Sequence, residues 1–384
     1  MIYDVGFEYN KDMIKIGITG QAGFVGTHLY NALGLFSDEF QRIDFRKEYF
    51  ADSTKLNEFV AQCDVIVHLA AMNRHNDPQV IYDTNIGLVQ RLIKSLEVTG
   101  SKAHVLFSSS TQEERDNLYG KSKKEGRELM MDWVKRAEGK FTGMIIPNVF
   151  GPFGHPNYNS VVATFCHKLV HNETPTIEVD GDMKLIYVGE LVDAILSEIR
   201  SGESKSEIVI PHTSESKVSQ LLSLLESYKG QYQDNGIIPT IDNTFELNLF
   251  NTFRCYMDIK NHFPVKFVEH TDSRGSFVEI IRLGIGGQVS FSTTVPGITR
   301  GNHYHTRKIE RFAVIKGKAL IQLRRIGTDE VLDFYLDGNE PAYVDMPIWY
   351  THNIKNIGDE ILYTNFWINE FYDPNDPDTY FENV

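Results

Sequence analysis

Cysteine is scarce in this chain: three in 384 residues, Cys63, Cys166 and Cys255, odd in number and far apart. That excludes a disulfide framework and reads as the reduced thiols of a cytoplasmic protein. No apolar run reaches the ~18 residues that a membrane-spanning helix needs, and the N-terminus lacks the layout of a signal peptide. Positive charge is short as well. A formal net charge of −14 leaves no basic footprint for a nucleic acid. Phosphate ligands stay admissible, because local loops rather than net charge hold them. The chain shows neither an internal repeat nor a low-complexity tract.

What is present is an ordinary globular composition, 41% hydrophobic, on a chain long enough for two or three domains. Residues 1–12, MIYDVGFEYNKD, read as a polar leader, with Met13 a plausible start of the folded part. Composition changes near His262-Phe-Pro264, so the expected domains are 13–262 and 263–384. Phe245, Leu249, Phe250 and Phe253 stand at helical spacing just before that boundary and predict a helix docking on the first domain.

The first domain opens with a short apolar strand, MIKIGIT, running into TGQAGFVG and then a helix carrying Leu29 and Leu33. Strand, glycine turn and helix in that order make a phosphate cradle. Gly20, Gly23 and Gly26, with Phe24 and Val25 between them, let backbone approach a pyrophosphate at a helix N-terminus. The strand DVIVHLAA ends in Leu69 and Ala70, which let a cofactor pass close. At the end of the second strand, Asp44 would suit a ribose hydroxyl, whereas Arg46 and Lys47 would suit a 2′-phosphate. Two cations after the strand end favour NADP(H), with Arg46 on the phosphate.

A serine run, Ser108-Ser109-Ser110, is followed closely by Tyr119-Gly-Lys-Ser-Lys123. Tyrosine and lysine at i and i+4 share a helix face. The ammonium lowers the phenol pKa from ~10 toward a useful acid–base value. TGQAGFVG, HLAA, the serine run before YGKSK, and Pro147-Asn148-Val-Phe-Gly151-Pro152 together resemble the extended short-chain dehydrogenase/reductases that act on nucleotide sugars. The resemblance implies an α/β Rossmann-type doubly wound parallel sheet. It also implies Tyr119 as catalytic acid, Lys123 as its partner at the cofactor, Ser110 (Ser109 next) as the hydroxyl, and Asn148 as a substrate contact. The serine-to-tyrosine spacing is shorter than most of that family shows. Residues 154–164, GHPNYNSVVAT, lie where such enzymes bind the nucleotide; a plain helix start capped by Asn159 or Ser160 explains them equally.

From Val265 onward short strands alternate with turns: VKFVEH, SFVEII, QVSFST, FAVIKG, ALIQLRR, AYVDM and ILYTNFWIN. That spacing predicts a β-barrel or sandwich. Gly297–Gly317 holds His303, His305 and Glu310, and Met346-Pro347-Ile-Trp349-Tyr-Thr-His352-Asn-Ile-Lys-Asn356 follows. On a strand the two imidazoles of His-x-His point to one face, and three histidines with one glutamate suit a divalent metal such as zinc. These stretches resemble the two motifs of the cupin barrel, an all-β double-stranded β-helix or jelly-roll, with Trp349 where the second motif has glycine. Asp272-Ser-Arg274-Gly-Ser-Phe277-Val-Glu279 and Arg300-Gly301-Asn-His303 resemble the metal-free sugar 3,5-epimerases. That likeness places His303 on the catalytic base and Arg274, Glu279 and Arg300 on substrate. His305 and Glu310 replace that family's glutamine and lysine, which moves the pattern toward a metal-assisted mechanism. Tyr363 and Lys308 are candidates for the working base.

Over nearly all of residues 13–384, including Phe371-Tyr-Asp-Pro-Asn-Asp-Pro-Asp-Thr-Tyr-Phe381, the chain resembles the bifunctional CapF-type enzymes of capsular polysaccharide synthesis. That resemblance implies a UDP-linked 4-keto-6-deoxy-N-acetylhexosamine as substrate. The barrel would epimerise C3 and the first domain would reduce C4 with NADPH, toward UDP-N-acetyl-L-fucosamine. It also implies zinc in the barrel and a homodimer or higher homo-oligomer. Two rivals stand beside it: an iron oxygenase barrel, and a non-catalytic sugar-sensing or oligomerising barrel on a nucleotide-sugar reductase.

Overall fold

The computed structural model describes residues 13–273 and 275–384. The leader call on residues 1–12 and the substrate call on Arg274 lie outside the described residues. The chain divides into two compact units. The first ends its opening segment at Val149 and takes in Lys184–Ser214; the second comprises Phe150–Met183 and Glu215–Val384.

In the first unit, strands β1 (Ile14–Thr19), β2 (Phe40–Ile43), β3 (Val65–His68), β4 (His104–Ser110) and β5 (Lys140–Ile146) alternate with helices α1 (Phe24–Leu33), α2 (Ser53–Gln62), α3 (Pro78–Thr99) and α4 (Leu118–Ala137). The short strands β6 (Asn148–Phe150) and β7 (Asp182–Tyr187) come next, followed by α6 (Val188–Ser201) and β8 (Lys205–Val209), while α5 (Val161–Val170) belongs to the second unit. The six-stranded sheet runs β2-β1-β3-β4-β5-β8, every pairing parallel. Parallel sheets need apolar cover on both faces, and all four residues of β3 are buried. Val65 and Val67 join Leu29, Leu33, Leu191 and Ile195 on one side. Ile66 joins Phe59, Leu92, Met130 and Trp133 on the other.

Local signals start and stop the helices as the chemistry requires. Asp77 caps α3 through Gln79 N, Pro78 sits in its first turn, and Gly100 ends it in the left-handed conformation (φ 62°). Asn117 caps α4 through Gly120 N, which orients the helix bearing Tyr119 and Lys123.

The second unit contains α5, β9 (Ser214–Lys217, whose first residue closes the first unit), α7 (Val218–Tyr228), α8 (Thr244–Arg254) and α9 (Ile259–His262), then strands only. These are β10 (Val265–Lys266), β11 (Glu269–Asp272), β12 (Gly275–Val278), β13 (Gln288–Thr294), β14 (Thr299–Tyr304), β15 (Glu310–Lys316), β16 (Lys318–Arg325), β17 (Val331–Asp337), β18 (Ala342–Met346), β19 (Tyr350–Asn356), β20 (Leu362–Ile368) and β21 (Tyr380–Phe381). Two five-stranded antiparallel sheets, β10-β18-β15-β20-β13 and β17-β16-β19-β14-β21, contribute to one apolar core that includes Val314, Val344, Ile321, Leu323 and Ile354. The strand spacing predicts a barrel or sandwich, and the two sheets form the jelly-roll that the cupin resemblance implies.

The helix expected before the barrel is α8. It packs on α7 and also ties into the barrel: Arg254 Nη2 donates to Met346 O (3.0 Å) and Asn251 Nδ2 to Arg307 O (2.8 Å). Beside it, Arg311 makes two bonds to Asp345 (2.7 and 2.9 Å), and Tyr232 Oη donates to the same carboxylate (2.7 Å). The Arg311 and Asp345 side chains are 3% and 0% exposed. Removing one partner of such a pair strands a buried charge and costs about 3–5 kcal/mol. Arg311→Met should therefore bring a markedly earlier unfolding transition of this unit in urea, followed by tryptophan fluorescence.

Candidate active sites

In the first unit the glycine turn lies where strand order reverses between β1 and β3, the switch point at which such sheets bind ligands. Gly20 has φ 79°, and a Cβ there would sit 2.9 Å from Ala70 N. At Gly26 a Cβ would come within 2.2 Å of Gly20 O. Both positions therefore exclude any larger residue, and the backbone lies open under the N-terminus of α1, where Phe24 and Val25 form the first turn. Leu69 is held beside the turn by its N–H to Thr19 O (3.0 Å). At the end of β2 the two signals separate. Asp44 accepts from Tyr30 Oη (2.7 Å), and Arg42 stacks on the Tyr30 ring. Arg46 stands exposed at the start of the next turn.

Tyr119 and Lys123 occupy one face of α4, with the Lys123 ammonium 6.0 Å from the Tyr119 ring centre and 5.1 Å from that of Phe107. Burial lowers the Lys123 pKa to about 8, against a smaller opposing pull from Glu113. Ser108 and Ser110 alternate to the same face of β4. Ser108 Oγ lies 3.5 Å from Lys123 Nζ and donates to His68 O, whereas Ser110 Oγ caps the following turn by accepting from Gln112 N (3.2 Å). Ser109 points the other way and is bound to Glu113.

The trimmed loop is braced by Glu113, which Arg127 grips with two bonds (3.0 and 2.8 Å). It closes so tightly on α4 that a Cβ at Gly120 would lie 2.0 Å from Gln112 O. Asn85, buried on α3, donates to Ser122 Oγ (3.0 Å), which donates to Tyr119 O (2.7 Å), so it fixes the turn that carries the tyrosine. Asn148 is exposed on β6 and donates to Lys184 O (3.2 Å).

In the barrel, His303, His305, Glu310 and His352 converge, their ligand atoms all within 4.8 Å of one another. The histidines come from β14, the turn after it, and β19 in one sheet; Glu310 comes from β15 in the other. A bulge brings them into line. Gly301 pairs with Asn353, but His303 pairs with His352, so Asn302 is the extra residue and takes φ 62°.

Trp349, standing where the cupin motif has glycine, keeps the left-handed conformation at φ 61°. It is held there by its N–H to His305 O (2.8 Å) and by stacking on Tyr304. The substitution preserves the turn and leaves the protein to carry the strain of a bulky residue in that region, of order 1–3 kcal/mol.

Glu310 Oε2 lies 3.0 Å from His305 Nε2 and 3.2 Å from His352 Nε2, yet all three atoms are buried without a hydrogen-bond partner. Their separations approach the ~3.3 Å edge of a tetrahedron with ~2.0 Å bonds. Nδ1 of His352 is turned to Tyr350 O and Nδ1 of His305 to Asp378 O, which directs both Nε2 atoms inward. Burial, then the neighbouring His352, lowers His303 to about 4, so it is neutral at pH 7. Burial works to raise Glu310, but the two imidazoles outweigh it and hold the carboxylate below its ordinary range. Burial opposes a charge on His305, and the adjacent Glu310 outweighs it and raises the imidazole above its ordinary value. The residues fit a divalent metal.

Several sequence candidates fall elsewhere. Lys308 is buried and donates to Pro377 O (2.7 Å), and Tyr363 faces the opposite side of β20 from Thr364 and Phe366, under Lys316. Neither is placed to act as a base at the cluster. His303 has one nitrogen in the cluster and a main-chain hydrogen bond to Gly301. Glu279 is exposed and paired with Arg282, and Arg300 is exposed on β14 with Nη1 3.3 Å from Thr293 O. The sequence reading missed Gln288 and Ser290 of β13. Opposite Ile368 and Phe366, they share the face of Glu310, while Val289 and Phe291 point outward. The inverted alternation, polar inward, was the available signal.

These features define a dinucleotide-binding α/β fold joined to a cupin-type barrel. Residues 16–210 match the NAD dependent epimerase/dehydratase family, and residues 270–380 match the polysaccharide biosynthesis C-terminal domain. UDP-2-acetamido-2,6-beta-L-arabino-hexul-4-ose reductase of Pseudomonas aeruginosa is 30% identical over 374 residues, 96% of this chain and 98% of that protein. The crystal structure of the capsular polysaccharide assembling protein CapF from Staphylococcus aureus superposes with TM-score 0.62 at 34% identity, covering 97% of this chain and 100% of that one. The fold of RMD from Pseudomonas aeruginosa, complexed with NADPH, is also similar (TM-score 0.51, 19% identity, 57% of this chain and 83% of that one). The chain belongs to the CapF type within the NAD dependent epimerase/dehydratase family.

Proposed function

We propose that this chain is a two-site UDP-sugar enzyme of polysaccharide precursor synthesis. In that reading the barrel inverts C3 of a UDP-linked 4-keto-6-deoxy-N-acetylhexosamine, and the first unit then reduces the C4 ketone with NADPH, toward UDP-N-acetyl-L-fucosamine. The observation that carries it is the presence, in one chain, of a Tyr119–Lys123–serine constellation and a separate three-histidine, one-glutamate cluster with three unpartnered ligand atoms. A full-length relative named as a UDP-hexulose reductase supports the same substrate class.

The chemistry orders the two steps. A C3–H is acidic only beside a carbonyl, and reduction removes that carbonyl, so inversion must precede it. His303, His305, Glu310 and His352 would hold a divalent cation, zinc by preference, which would supply a Lewis acid for the C4 oxygen. Gln288 and Ser290 offer hydrogen bonds on the same wall, and Glu279, Arg300 and Arg274 are the further substrate contacts.

In the first unit Gly20, Gly23 and Gly26 would hold the cofactor's pyrophosphate and Arg46 its 2′-phosphate, and NADPH would supply the hydride for C4. Tyr119 passes its phenolic proton to the C4 oxygen. Ser110 donates a hydrogen bond to that oxygen, and Lys123 stabilises the phenolate left behind.

The direct test is incubation with the keto sugar in D2O without NADPH, followed by NMR. Loss of the C3 proton signal is expected, and later addition of NADPH should consume the ketone. Absence of exchange at every carbon, with reduction proceeding normally, would reduce the barrel to a binding or structural module.

A further inference from the structure

The stretch Asp373–Phe381 contributes nothing to the sugar chemistry above, yet one of its residues is wrapped into the metal cluster. Asp378 is 2% exposed and adopts φ 38°, a conformation few non-glycine residues take. Its carboxylate accepts four hydrogen bonds from the turn between the second and third ligands. Oδ1 takes Thr306 N (3.0 Å) and Thr306 Oγ1 (2.6 Å), and Oδ2 takes Arg307 N (3.0 Å) and Lys308 N (3.1 Å). Its main-chain oxygen accepts from His305 Nδ1. On one side Lys308 Nζ fastens the preceding Pro377 O; on the other, Phe381 and Tyr380 pair with His303 and Tyr304 as β21.

We propose that Asp378 is a positioning residue of the metal centre. The main-chain oxygen selects the His305 tautomer whose Nε2 faces Glu310, and the carboxylate sets the 306–308 turn that spans the gap from His305 on one sheet to Glu310 on the other. One residue thereby fixes the relation of two ligands that no shared sheet holds together. With this left-handed backbone the carbonyl addresses His305 and the carboxylate addresses the turn at once. The inference rests on the reading that the cluster binds a divalent cation, and partners that orient ligating histidines commonly contribute 10–100-fold to metal affinity.

The test is a Co2+ titration of the full-length, metal-stripped protein against a competing chelator, read by the visible d–d spectrum. Asp378→Asn keeps the shape but puts an NH2 against main-chain donors. Cobalt affinity should fall 10–100-fold, and the bands should move away from the intense four-coordinate pattern of the unsubstituted protein. A purely structural role would shift the urea midpoint of the apoprotein and leave the spectrum of the loaded site unchanged, which would overturn the proposal. If Asp378→Asn does not fold, Thr306→Val, which removes one hydroxyl donor, decides. A weakening of about twofold to tenfold is expected, and unsubstituted affinity would refute it. Failure of the metal reading is distinguishable, since the unsubstituted protein would then bind Co2+ no better than His352→Ala.

Discussion

Tyr119→Phe should abolish NADPH-dependent reduction while leaving solvent exchange at C3 intact. In the proposed reduction the phenol protonates the C4 oxygen, so its loss leaves hydride transfer without a proton. General acids of this kind are worth about 10²–10⁴ in rate. Stopped-flow following of NADPH absorbance on pre-epimerised substrate measures the loss, and NMR in D2O measures what is spared.

The pH profile carries a second signature of the same site. Burial depresses Lys123 to about 8, so the ammonium that stabilises the Tyr119 phenolate is present below that pH and is lost as pH rises through it. Reduction by the unsubstituted enzyme should decline above about pH 8. The stability consequence has a definite sign. A depressed amine pKa favours the neutral form in the native state, so the fold gains stability as pH rises from about 8 toward the unfolded value of ~10.4. That gain is lost again as pH falls through 8. Stability and reductive activity should therefore move in opposite directions across this window. Undiminished NADPH oxidation by Tyr119→Phe would place the proton donor elsewhere.

The glycine cradle, the Tyr–Lys pair and the convergence of His303 and His305 were legible because each depends on residues close together in sequence with a fixed geometric consequence. Gly20 and Gly26 are obligatory wherever backbone meets backbone at such distances. His-x-His shares a face on any strand. Strands were legible where apolar residues alternated, as in FAVIKG and ALIQLRR; VLDFYLD, with Asp333 and Asp337, is β17 because Gln322 and Lys318 face those two aspartates across the ladder.

What stayed illegible depends on pairing at long range. The one-residue slip after Gly301 that sets His303 opposite His352 is a register event, and Asn302 carries no mark of it in the sequence. Asp378 reaches His305 across 73 positions. Trp349 stands where the cupin motif has glycine, yet the surrounding bonds hold that residue in the glycine conformation. The serine choice is a case of local crowding. Ser110 faces the expected side but caps a turn, and Ser108, one pleat back, is the hydroxyl 3.5 Å from Lys123.

Glu310→Gln tests the barrel as sharply as Tyr119→Phe tests the reductase. Glu310 is the only anion among the four converging ligands and the only one supplied by the second sheet. An amide retains the volume and one carbonyl lone pair but brings no charge to offset a dication among neutral imidazoles. It also turns an NH2 toward a site meant to receive only lone pairs. Zinc content should fall below stoichiometry after dialysis against a chelator, and C3 exchange in D2O should drop by at least about 10²-fold, consistent with several kcal/mol of charge stabilisation lost at the developing enolate. In the unsubstituted protein, zinc at a hundredfold excess over Kd should stabilise the barrel by about 2.7 kcal/mol; in Glu310→Gln that increment should vanish from the thermal transition. Reduction of a substrate already inverted at C3 should proceed normally, because Tyr119, Lys123 and the glycine cradle belong to the other unit. Retained C3 exchange in a zinc-free Glu310→Gln protein would remove the cluster from the reaction and return the proton transfer to a metal-independent base.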